Sequence, residues 1–126
     1  MKYLIDTHVL LWYMENNPRL SVRVSGEIED RNNTIHLSKA SFWEIAIKIS
    51  TGKLQLTMPI LELENYLILK SIDQLDFNFK DLETLSKLPF HHNDPFDRLI
   101  ISQAINHNLS VISVDEKFKL YPVQLL

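Results

Sequence analysis

A chain of 126 residues with 45% hydrophobic and 23% charged residues has the composition of an ordinary globular protein; disorder is excluded, and two independent cores would each be too small to stand alone. Thirteen Lys and Arg against sixteen Asp and Glu leave a formal net charge of -3, which excludes a general electrostatic grip on DNA or an anionic membrane, so any nucleic-acid contact rests on a local patch or on metal ions. The absence of Cys removes disulfides, thiol nucleophiles, iron-sulfur clusters and Cys-ligated zinc, and two glycines, Gly26 and Gly52, cannot supply a glycine-rich phosphate loop.

Tyr3-Leu4-Ile5, closed by Asp6-Thr7, is a short unbroken apolar run that predicts a strand buried on both faces. Asp6 arrives before a signal-peptide core could form, and no apolar run approaches a membrane span; a cytoplasmic protein is expected. His8 to Glu15 is apolar almost all round and predicts a deeply packed helix, ended by Asn16-Asn17-Pro18. A second helix is predicted from Ser21 to about Arg31, with Leu20, Val24 and Ile28 inward, and Thr34 to Leu37 reads as the second strand. Phe42, Ile45, Ala46 and Ile49 form an apolar stripe on a third helix, Ala40 to Ser50, with Gly52 as its C-terminal cap.

Ile60 to Lys70 is helical with apolar residues on more than one side, and Asp73 to Asp76 suggests a short edge strand. Asn78 and Asp81 open a small helix with Leu82, Leu85 and Leu88 inward. A further helix runs from Asp94-Pro95 to about Asn106, and Ser110 to Val114 is the last strand, ending at Asp115. Strands alternating with helices predict an α/β fold, a mainly parallel sheet covered on both faces, as one domain over residues 1–126. In such sheets the carboxyl ends of the strands share one edge, where ligands bind.

That edge collects Asp6, Glu44, Asp97 and Asp115. Each has a structural explanation. Asp6 could end a strand in a turn, and Glu44 could complete a capping box with Ser41 or pair with Lys48. Asp97 could belong to the cap begun by Asp94, and Asp115 could cap Glu116 to Phe118. Yet Asp97 aligns with Ile100, Ile101 and Ala104, and a carboxylate heading a buried stripe needs a partner. Four acids on one rim also repel one another unless something positive sits among them. The simplest such species is a hard divalent cation, Mg2+ or Mn2+, because an all-oxygen donor set does not suit zinc. His91 and His92 read as loop histidines, one of which could touch substrate; Arg98 is expected on the solvent flank of its helix, paired with Asp94. A carboxylate-held divalent cation acidifies water and stabilises the anionic transition state of phosphodiester hydrolysis, so metal-dependent phosphodiester cleavage is the chemistry expected.

Tyr3-Leu4-Ile5-Asp6-Thr7-His8, Ser41-Phe42-Trp43-Glu44-Ile45 and the run from His92 through Asp94-Pro95-Phe96-Asp97-Arg98 to Ala104 together resemble the PIN-domain family, especially VapC-like toxins. The resemblance implies a three-layer α/β/α, Rossmann-like sandwich and Mg2+- or Mn2+-dependent endoribonuclease activity. It also implies a homodimer and a small cognate antitoxin that inhibits it. It places Asp6, Glu44 and Asp97 on the family's three acidic positions and Asp115 on the fourth, which acts directly or through water. RNA affinity would draw on the metals and on cations such as Arg19, Arg23, Lys39, Lys48 and Lys53. Two other readings compete. An acyl-phosphate domain also uses an Asp after the first strand, but the phosphatase pattern wants a second Asp where this chain has His8. A protein-interaction module would keep the fold and make the acids structural.

Overall fold

The computed structural model describes residues 1–126. Its strands are β1 (Lys2–Ile5), β2 (Thr34–Ser38), β3 (Ile72–Leu75) and β4 (Ser110–Ile112). Every neighbouring pair is parallel, in the order β3-β2-β1-β4. The helices are α1 (Thr7–Met14), α2 (Val22–Glu29), α3 (Lys39–Ser50), α4 (Leu63–Leu69), α5 (Phe79–Lys87) and α6 (Pro95–His107).

The period-2 alternation of β1 divides the interior into two cores. Tyr3 and Ile5 face one side and pack with Val9 and Leu10 of α1, Ile28 of α2, Ile45 of α3, and Leu63 and Leu67 of α4. Leu4 faces the other side with Val111, and with Ile100, Ile101 and Ala104 of α6 and Phe118 beyond β4. The first strand is therefore buried on both faces, as its unbroken apolar run requires, and the architecture is a three-layer α/β/α sandwich. Each fully buried Leu or Ile contributes about 1.5–3 kcal/mol of transfer free energy, and both layers are built mainly of such residues. No helix is long and apolar enough to cross a membrane.

Several local signals act as expected. Gly52, at φ 74°, follows α3 in the left-handed conformation. Its N–H donates to the Ile49 carbonyl at 3.1 Å while the Lys53 N–H reaches the Lys48 carbonyl at 2.9 Å, which is the doubly bonded glycine stop of a helix. Gly52→Ala should cost about 1 kcal/mol because a Cβ is strained at positive φ; a urea midpoint unchanged from wild type would contradict this. Asn78 and Asp81 exchange side-chain-to-backbone bonds at the start of α5, and Asp94 caps α6 with Pro95 in its first turn.

Other elements depart from expectation, for identifiable reasons. Helix α2 stops at Glu29, short of Arg31, because the Asp30 carboxylate accepts the Asn32 N–H at 2.9 Å and turns the chain. On α3 the buried face is Ala40, Ser41, Glu44 and Ile45, leaving Ala46 and Ile49 exposed. Hydrogen bonds to Ser41 and Glu44 from α1 and from α3 itself make a polar face buriable there. On α5, Leu82 is exposed while Asp81 is fully buried. The Asp81 carboxylate takes the Asn78 N–H at 3.0 Å and the Asn106 Nδ2 at 2.9 Å, with His107 Nε2 3.4 Å away. That turns α5 toward the far end of α6 rather than onto its leucines. Arg98, expected at the solvent flank, is buried: α6 is enclosed on all sides from Arg98 to Ala104.

Candidate active site

The sheet order reverses beside β1, with β2 on one side and β4 on the other, so a crevice forms at the carboxyl ends of β1 and β4, the favoured ligand position of an open parallel sheet. Asp6 follows β1, and Ser113 and Asp115 follow β4. Helices α3 and α6 bring Glu44 and Asp97 to the same place.

Asp6 is buried and caps α1, accepting the Val9 N–H at 2.8 Å through Oδ1. The Ser113 hydroxyl donates to its Oδ2, and Ser113 Oγ in turn accepts the Asp115 N–H at 3.0 Å, so one hydroxyl ties two of the acids together. Asp115 caps the 3-10 turn Glu116–Leu120, accepting the Lys117 N–H at 2.9 Å. Glu44, also buried, lies on the packed face of α3 and not on its outer side. Thr7 donates to its Oε1 at 2.6 Å, and Lys48 Nζ is 2.8 Å from its Oε2; Ser41 stands 2.8 Å from Thr7 rather than in a capping box. The caps foreseen for Asp94 and Asp115 and the Glu44–Lys48 pair are thus present, whereas Asp6 caps a helix rather than ending its strand in a turn.

Asp97 differs. Its carboxylate has no hydrogen bond and no Lys or Arg partner; the one charged or chargeable neighbour at contact is His92, whose Nε2 is 3.5 Å from Oδ2. Burial, followed by the fields of Asp94, Asp6, Glu44 and Asp115, pushes its carboxyl up to about 8. Asp6, Glu44, Asp94 and Asp115 thus lie near enough to Asp97 to raise its affinity for a proton. Burial likewise raises Asp6, against the pull of Ser113 and the Val9 N–H. The donor set is wholly oxygen and short of positive charge, which fits a hard divalent cation. The acids converge without closing: no three His, Asp or Glu side chains stand together as a preformed cage.

Sequence reasoning missed the groups that hold these acids. Thr7 and Ser113 are small hydroxyls directly beside strand ends, a signal available in the chain order. His92 lies in a loop, as expected, but is buried there: the Tyr121 hydroxyl lies 2.7 Å from its Nδ1, and burial holds its imidazole below the usual range. Arg98 donates to the carbonyls of Pro89 and Leu88 at 2.8 and 2.9 Å and stacks over Phe90, with no pairing to Asp94. Among the cations thought to serve RNA, Lys48 is committed to Glu44 and Lys39 lies 3.7 Å from Asp76. At the rim, Trp43, beside Glu44, is 66% exposed and meets Phe96, beside Asp97, edge to face.

The PIN domain family model matches residues 3–123. Ribonuclease VapC22 of Mycobacterium tuberculosis (strain ATCC 25618 / H37Rv) is 27% identical over 117 residues, 92% of this chain and 88% of that protein. The fold is similar to the crystal structure of VapBC2 from Rickettsia felis bound to a DNA fragment from their promoter. That match has a TM-score of 0.75 and 22% identity, covering 100% of this chain and 98% of the other. It is also similar to a toxin-antitoxin complex from Klebsiella pneumoniae, with a TM-score of 0.65 and 16% identity over 98% of this chain and 95% of the other.

Proposed function

The chain belongs to the PIN-domain family, and from that membership we propose that it is a divalent-metal-dependent endoribonuclease, the toxin of a toxin-antitoxin pair. The observation that carries the metal reading is Asp97, a partly buried carboxylate surrounded by other acids and bonded to none of the chain's fixed cations. The ribonuclease and toxin parts draw on VapC22 and on the toxin-antitoxin complex that this fold resembles.

In this reading Asp6 and Asp97 hold Mg2+ or Mn2+, and Glu44 and Asp115 complete the anionic wall, Asp115 directly or through water. A cation bound there would supply Lewis acidity to the scissile phosphodiester and acidify the attacking water. The chain's own groups do the positioning. The Val9 N–H and Ser113 fix the Asp6 carboxylate, while Thr7 and Lys48 fix Glu44. Lys48 neutralises part of the acid cluster, which lowers the repulsion an incoming phosphate meets. The exposed apolar residues Trp43, Leu61, Ile68 and Leu69 supply surface for a second copy and for a small antitoxin. One domain over residues 1–126, acting in the cytoplasm, completes the proposal.

The test is a metal titration joined to an RNA assay. At Mn2+ a hundredfold above its dissociation constant the wild type should gain about 2.7 kcal/mol and cut RNA; chelator should abolish both effects, and Asp6→Asn should fold but neither bind nor cut. An unchanged melting temperature together with intact RNA would favour the interaction module, in which the acids only cap and brace.

A further inference from the structure

The network beside Asp97 carries a second assignment, which rests on the metal reading above. The Tyr121 hydroxyl has one proton to give and two lone pairs to fill. It accepts the His92 backbone N–H at 3.2 Å, and Arg98 Nη1 stands 3.4 Å away on its other flank. Its own proton is left for His92 Nδ1, 2.7 Å away. A ring that accepts at Nδ1 carries its one proton on Nε2. Nε2 is buried, finds no hydrogen-bond partner in the chain, and faces Asp97 Oδ2 at 3.5 Å. The imidazole is pinned by the Phe118 and Tyr121 rings, so it has little freedom to turn elsewhere.

We propose that His92 is a positioning residue for Asp97: Tyr121 sets its tautomer, and the Nε2–H so presented holds Oδ2 and thereby orients the Asp97 carboxylate. Arg98 supports the arrangement from behind, because its guanidinium holds the Leu88 and Pro89 carbonyls at the start of the loop that delivers His92. A buried N–H without an acceptor is costly, and the Asp97 carboxyl oxygen is the acceptor placed nearest to it. Second-sphere partners of this kind tune affinity for the ion without touching it.

Two measurements decide the matter. Nitrogen-15 spectra of the histidine rings of the metal-free wild type should show the His92 proton on Nε2, and Tyr121→Phe should shift population toward Nδ1. In parallel, calorimetric Mn2+ titrations should show binding weakened about tenfold in His92→Ala and recovered in His92→Gln, whose amide again offers a donor. Turnover on RNA should fall with kcat while KM holds, since the RNA surface is untouched. A wild-type proton resident on Nδ1, or a folded His92→Ala that binds Mn2+ as the wild type does, overturns the assignment and leaves the metal reading standing. A wild type that takes up no Mn2+ removes the metal reading, and this assignment with it.

Discussion

Replacing Asp97 with Asn is expected to lower RNA cleavage on the order of a thousandfold while making the metal-free protein more stable. The two effects share one cause. In the folded chain the Asp97 carboxyl is pushed up to about 8 from its ordinary 3.8, first by burial and then by four neighbouring acids. A folded state that holds a proton more tightly than the unfolded chain is favoured at low pH. That stability is complete below about pH 4 and is lost as pH rises through 8. Asp6, also raised, adds a loss of the same sign. Asn carries no charge to repel, so the variant should be the more stable by on the order of 2 kcal/mol at pH 8, solvent screening included, and equal to wild type near pH 4. Saturating Mn2+ should reverse the ranking by stabilising only the wild type. Parallel stability profiles for the two proteins from pH 4 to pH 8 would show that Asp97 is not under charge stress and would remove the main support for a cation site.

The second large effect is structural. Arg98→Ala is expected to cost about 3–4 kcal/mol, read as a shift of the urea midpoint at unchanged slope. The guanidinium is buried, satisfies the Leu88 and Pro89 carbonyls and lies 3.9 Å from the Phe90 ring centroid. Truncation would strand both acceptors and remove a packed stem. Had Arg98 been an exposed partner of Asp94, as helical spacing alone suggested, its loss would cost under about 1 kcal/mol. Magnitude therefore separates the two placements. Arg98→Lys should recover part of the loss, because one ammonium cannot span two carbonyls with a planar fork.

Legibility in the sequence followed the range of the interactions. Where the determinant lies within a few residues it could be read directly: the apolar run of β1, the Asn78-Asp81 capping box, Asp94-Pro95 at the head of α6 and Gly52 behind α3. The acids after strands were also readable, because a parallel sheet sends every strand end to one edge. What escaped depends on distant partners. Glu44 lies outside the apolar stripe of α3, and its burial is intelligible only once Thr7, 37 positions away, is seen to donate to it. His92 meets Tyr121 across 29 positions, and the carbonyls that hold Arg98 carry no side-chain signature at all. Leu82 was misplaced for the same reason: Asp81 has its buried bonding partner on α6, which no periodicity within α5 reveals.

The bond from Ser113 to Asp6 joins residues 107 positions apart, and β4, which brings Ser113 there, is the final strand of the sheet. The acid centre is therefore complete only once β4 has joined the sheet, and any partly folded state that leaves this strand undocked leaves Asp6 without its hydroxyl partner.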